Sequence, residues 1–308
     1  MIFKNTNKTF VVISGGSGLL SLNWAQYIKN DYNVILLQHI RIVNLENVFS
    51  LKCDLESYID LYKILQKYNP IYFIHTAGLT NVEICEKNPD LATKVNVKIT
   101  ENVAKITNDL KIKLVHISTD HLFDGTFSNA TEEDLTSPLN VYAITKLESE
   151  KVVAKYNTNS LIIRTNFFSW GPSYRNSFSD FIINNLRSNL TINLFQDVKY
   201  TPVHIYNLMK TTHYLLDNNQ YGIFNISSDD IITKFEFGNL IAKIFNLNLE
   251  LIKPILLSNN IELVKRPHDM SLSNKKASSF YKIGSVYEQI LLLKNEEFYE
   301  NNNKIKNI

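Results

Sequence analysis

Phe10-Val11-Val12-Ile13-Ser14-Gly15-Gly16-Ser17-Gly18-Leu19-Leu20-Ser21 is the stretch on which the reading of the chain turns. An apolar run breaks at a Gly/Ser turn and resumes at Leu19-Leu20, the order strand, turn, helix. Glycines at such a turn let backbone N–H groups approach a pyrophosphate, and the helix N-terminus adds the positive end of its dipole. A flexible Gly/Ser loop would contain the same residues, so the weight rests on position, directly after the first apolar run. The spacing is Gly15-x-x-Gly18-x-x-Ser21, with Ser21 where a third glycine is usual. It predicts a slightly wider helix–strand contact and an intact phosphate cradle, with Gly15, Ser17, Gly18 and Leu19 as cofactor contacts.

Outward from this turn the same alternation repeats. Short apolar runs predict strands at about 9–14, 33–37, 71–75, 112–117 and 160–164 with helices between them. That is an α/β fold, a doubly wound Rossmann-type parallel sheet. Leu114-Val115-His116-Ile117-Ser118 is apolar almost throughout, as a strand covered on both faces should be. Residues 1–165 are therefore assigned to the dinucleotide-binding domain, joined by some later returning elements. Past Arg164 the rhythm loosens around Trp170-Gly171-Pro172, and 166–300 are assigned mainly to a smaller, interleaved C-terminal α/β substrate domain. The tail 301–308 is polar and low in complexity and is expected to fray.

Cofactor choice depends on the end of the second strand, where an Asp or Glu suits a ribose 2′-hydroxyl and a basic residue suits a 2′-phosphate. Here Val34-Ile35-Leu36-Leu37 leads into Gln38-His39-Ile40-Arg41 with no carboxylate. NADPH is the favoured cofactor, NADH the alternative, with His39 and Arg41 near the 2′-phosphate. Cys53-Asp54-Leu55 offers Asp54 and Leu55 as adenine-side contacts, and Ala77-Gly78 leaves room for the cofactor backbone.

Downstream, Ser118-Thr119-Asp120 ends the fourth expected strand, and Tyr142-Ala143-Ile144-Thr145-Lys146 opens the next helix. The spacing puts Tyr142 and Lys146 on one face, a turn apart. A phenol is a poor acid or base at neutral pH, and a neighbouring ammonium is expected to bring it toward working range. Tyr142 would then deliver a proton to a developing alkoxide and Thr119 would hold that oxygen. Lys146 would orient the nicotinamide ribose. A second Tyr-x-x-x-Lys, Tyr206 to Lys210, lacks the preceding Ser-Thr strand end and is read as structural.

These residues resemble the extended short-chain dehydrogenase/reductases, most closely the dTDP-4-dehydrorhamnose reductase branch. Ser118-Thr119-Asp120-His121-Leu122-Phe123-Asp124-Gly125 is similar to its STDYVFDG signature, and Pro138 to Lys146 to its proline-led approach to YxxxK. His75-Thr76-Ala77-Gly78-Leu79-Thr80-Asn81-Val82-Glu83, Ile163-Arg164-Thr165 and Arg266-Pro267 also fall at family-like places. The resemblance implies a Thr119/Tyr142/Lys146 triad, a nicotinamide cofactor and a nucleotide-sugar substrate. The cofactor contacts it implies are Gly15, Gly18, Asp54, Ala77 and Lys146. Thr80, Thr119, His121, Phe167 and Arg266 are the expected substrate contacts, Arg266 for a diphosphate. The family's tryptophan near Phe167 and its DQxGxPT run, here Gln196-Asp197-Val198-Lys199-Tyr200-Thr201-Pro202, are altered.

The expected activity is reduction of the 4-keto group of a nucleotide-activated deoxysugar, for a surface polysaccharide precursor. A sugar-nucleotide epimerase or dehydratase on the same scaffold is the alternative enzyme. A non-catalytic subunit resembling the regulatory subunit of methionine adenosyltransferase is the alternative of another class. Composition bounds the remaining partners. In 308 residues the formal charge is +2, spread without a basic block, so neither nucleic acid nor membrane is implied. Cys53 and Cys85 are too few for a disulfide framework, and the histidines form no HExxH-like set, so no metal is expected. A reducing, cytoplasmic location and a homodimer are the accompanying expectations.

Overall fold

The computed structural model describes residues 8–259, 262–297, 305, 306 and 308. Its centre is a parallel sheet of seven strands: β1 Phe10–Ile13, β2 Asn33–Gln38, β3 Phe49–Lys52, β4 Tyr72–His75, β5 Lys113–Ile117, β6 Leu161–Arg164 and β7 Gly222–Asn225. Their spatial order is β7-β6-β5-β4-β1-β2-β3, every neighbouring pair parallel. The chain winds outward from β1 in both directions, so the carboxyl ends of β1 and β4 flank the point where the strand order reverses. A crevice forms there in doubly wound sheets.

Residue alternation explains why the sheet is covered on both sides. Along β1, Val11 and Ile13 enter the core shared with α1 (Leu19–Ile28), while Val12 enters that shared with α2 (Tyr58–Tyr68) and α3 (Ile99–Asp109). All three valine and isoleucine side chains are fully buried. α4 (Val141–Tyr156) starts at an Asn140 cap whose Oδ1 accepts the Ala143 N–H at 2.9 Å.

The chain after Arg164 has a core of its own around Phe168, Trp170, Phe237 and Leu293. It is built from α5 (Phe178–Arg187), α7 (Lys234–Phe245) and α8 (Val286–Glu296). Three two-stranded ribbons complete it: Phe167–Phe168 with Val203–His204, Lys199–Tyr200 with Ile232–Thr233, and Ile192–Phe195 with Ile252–Ile255. Between these, α6 (Ile205–Asp217) and β7 cross back, and Leu208, Met209 and Phe224 join the core of the first half.

Two strands lie outside the sequence expectation. β3 and β7 are the sheet's edges, each bonded on one side only, so neither needs the continuous apolar run that marks a central strand. The frayed tail does not hold where it is described: Ile305 is buried and Lys306 Nζ lies 3.6 Å from the Trp170 ring centroid. Residues 301–304 and 307 of that expectation lie outside the described residues. Among the described residues no helix is long and apolar enough to cross a membrane.

Candidate active site

The cradle begins with backbone geometry. Gly15 has φ +66°, and a Cβ there would stand 3.0 Å from the Ala77 backbone. A Cβ on Gly16 would meet Leu36, Leu37 and Gln38 at 2.8–2.9 Å. Both strand ends therefore approach the turn more closely than a side chain permits, and the helix α1 N-terminus opens beyond it. Ser21 acts as a brace: fully buried, its hydroxyl donates to the Gly15 carbonyl at 2.6 Å and accepts the Gly18 N–H at 3.1 Å. Gly15→Ala is expected to weaken binding of a nicotinamide dinucleotide at least about tenfold, because the left-handed turn and the Ala77 contact both resist a methyl group. Fluorescence titration with the cofactor reads this directly, and unchanged affinity would remove the turn from the binding site.

From this turn a cleft of about 840 Å³ runs across the sheet's carboxyl edge to the start of α4. It is lined by Gly15, Ser17, Gly18, Leu19, His39, Arg41, Leu55, Ala77 and Gly78 on the dinucleotide side. Thr80, Thr119, His121, Tyr142, Lys146 and Phe167 line it further along. Two expected contacts fall outside. Asp54 turns its carboxylate to the Glu56 N–H at 3.0 Å, capping the turn before α2. Arg266 is ion-paired with Glu83 and also donates to the Val264 carbonyl at 3.2 Å.

At the cleft's closed end, α4 presents Tyr142 and Lys146 and the segment after β5 presents Thr119. The Thr119 hydroxyl is near enough to the Tyr142 phenol to favour its ionised form, and the His121 ring meets Tyr142 edge-on with centroids 5.6 Å apart. Lys146 Nζ donates to the Ile117 carbonyl at 2.7 Å. Burial lowers the Lys146 amine to about 8, with Glu150 opposing the shift. Burial raises the Tyr142 phenol above its ordinary range, the Thr119 hydroxyl opposing the shift and Asp120 and Cys85 adding to it. The expectation that Lys146 draws the phenol toward ionisation is thus corrected: the Lys146 amine points one donor at the Ile117 carbonyl, it is not among the groups that shift the phenol, and desolvation keeps the phenol neutral. A neutral phenol is the form that can give a proton to an alkoxide.

Several residues support the site through contacts that the sequence does not show. Ser118 Oγ donates to Glu150 at 2.5 Å, and Glu150 takes Arg164 in a two-pronged pair at 3.0 and 2.8 Å. Arg164 is thus a buried charge held at the end of β6. Asn96 sits in a single π-turn, Lys94–Lys98, where its amide bonds Leu79 on one side and Thr145 at 3.0 Å on the other. Asn166 donates to buried Asp120 at 2.8 Å. Arg175 also lines the cleft, with Nη2 3.4 Å from Thr80. Tyr206 lies apart, edge-on to Tyr27 at 5.2 Å.

Known proteins of this shape agree in kind. The "Probable low-salt glycan biosynthesis reductase Agl14" of Haloferax volcanii is 31% identical over 210 residues, 67% of this chain and 70% of that protein. The methionine adenosyltransferase 2 subunit beta of Rattus norvegicus is 29% identical over 223 residues, 70% of this chain and 66% of that protein. In fold, the dTDP-4-dehydrorhamnose reductase of Bacillus anthracis, solved with NADP, superposes with a TM-score of 0.83 at 22% identity over 94% of this chain and 99% of that one. Residues 9–289 match the RmlD substrate binding domain along nearly the whole sheet and both halves of the cleft, and the chain belongs to that family.

Proposed function

We propose that this protein is an NADPH-dependent reductase of the 4-keto group of a nucleotide-activated deoxysugar. The observation that carries the reading is one cleft lined by the glycine cradle at one end and by Thr119, Tyr142 and Lys146 at the other. A bound nicotinamide nucleotide supplies hydride to the carbonyl carbon. Tyr142 gives its phenolic proton to the oxygen that becomes alkoxide, Thr119 holds that oxygen, and Lys146 orients the ribose from its anchor on Ile117. Thr80, His121 and Phe167 line the sugar side, and Arg175, exposed at the cleft rim on a 3.4 Å bond to Thr80, suits a diphosphate better than Arg266 in its Glu83 pair.

NADPH is favoured by the fate of Gln38. Its uncharged amide is committed to the Val43 backbone at 2.9 Å in both directions, no carboxylate follows it, and the basic side chains His39 and Arg41 stand at the cleft. Likeness to the methionine adenosyltransferase subunit supports a second, regulatory reading. Incubating the protein with a set of nucleotide 4-keto-6-deoxysugars and following NADPH absorbance separates the two. Turnover of at least one is expected. Tight NADPH binding without turnover of any would favour the regulatory reading and overturn the enzymatic one.

A further inference from the structure

We propose that Tyr174, a residue of the substrate half, sets the cofactor preference of the dinucleotide half by fixing Arg41. The proposal rests on the NADPH reading above. Tyr174 follows the Phe167–Phe168 strand, yet its hydroxyl donates to the Ser17 carbonyl of the phosphate turn at 2.8 Å. Its ring packs on the main core, and the Arg41 guanidinium carbon lies 4.1 Å from the ring centroid. Tyr174 itself does not line the cleft, whereas Ser17 and Arg41 do. It is a positioning residue that acts through both.

The physics turns on what Arg41 would be without it. Arg41 sits on the exposed loop after β2, and among the described residues no acceptor takes its N–H groups. An exposed arginine samples many rotamers and must surrender that freedom when it grips a phosphate. An aromatic ring against one face of the guanidinium restrains it while leaving the donor edge free for phosphate oxygens. The loop is thus held twice, by Gln38 at Val43 and by Tyr174 at Arg41. Burial raises the Tyr174 phenol above its ordinary range, so its O–H donor persists at neutral pH, with Arg41 and Arg175 opposing the shift. A neutral ring then serves both contacts at once.

Affinities for 2′,5′-ADP and 5′-AMP, which differ by the phosphate alone, test this in the wild type, Tyr174→Ala and Tyr174→Phe. The wild type is expected to prefer 2′,5′-ADP. Tyr174→Ala should cut that preference by about three- to tenfold, the scale of a cation–π contact. Tyr174→Phe keeps the ring, so it should weaken both ligands alike and preserve the preference. An intact preference in Tyr174→Ala, with the wild type discriminating, overturns the role of Tyr174 alone. No preference in the wild type overturns the NADPH reading and this proposal with it. Thermal melts verify folding, and Tyr174→Leu, also lacking the ring, replaces the alanine variant if that one does not fold.

Discussion

Tyr142→Phe is expected to lower turnover of the carbonyl substrate at least about a hundredfold, the scale of a lost general acid. The ring keeps its place against His121 and within the small cluster of Val82, Cys85 and Ala92. Only the phenolic hydroxyl is lost, so stability should change by no more than about 1.5 kcal/mol. Cofactor affinity should hold, because the cradle residues are untouched. Steady-state kinetics beside cofactor titration read both quantities. Tyr206→Phe is the control, since its ring packs on Tyr27 outside the cleft. Equal activity in the two variants would mean that the phenol at the closed end of the cleft does not donate the proton.

Glu150→Ala is expected to cost about 3–5 kcal/mol of stability, the usual penalty for stripping one partner from a buried ion pair. Both side chains are 4% exposed, and among the described residues Arg164 Nη1 has no hydrogen-bond partner. Without Glu150, the guanidinium keeps only the face of Phe123, 5.7 Å away, and Ser118 loses its acceptor. Glu150 also opposes the fall of the Lys146 amine, so its removal should push that amine further below about 8. Urea unfolding gives the first effect as a shifted midpoint at constant slope. Replacing both partners by leucine should recover much of the loss, because no charge is then left buried. A single variant as stable as the wild type would show that Arg164 finds water or another acceptor.

The central strands were legible because each is buried on both faces and must be apolar along its length. Strands expected at 33–37, 71–75, 112–117 and 160–164 lie within a residue or two of β2, β4, β5 and β6. β3 was not read, although Phe49 and Leu51 alternating with Ser50 and Lys52 is a strand period. Its side chains are only partly covered, so the apolar signal is diluted. In the site, Tyr142, Lys146 and Thr119 could be placed together because helical spacing and a strand end fix them locally. Arg266 could not, since its partner Glu83 lies 183 residues away. The direction of the Tyr142 shift was misread for a related reason: sequence spacing shows that Lys146 is a neighbour, but not that its amine points one donor at Ile117.

The late arrival of β7 bears on how the chain is made. Residues emerge from the ribosome in order, so the first six strands are out well before Gly222–Asn225 can pair with Leu161–Arg164. Through that interval β6 is an open edge of a buried, hydrophobic strand, and the α1 side of the sheet waits for Leu208, Met209 and Phe224. Unpaired edges of this kind attract other strands. The first six strands therefore depend on polypeptide still to come, and the open edge of β6 closes only when β7 pairs with it.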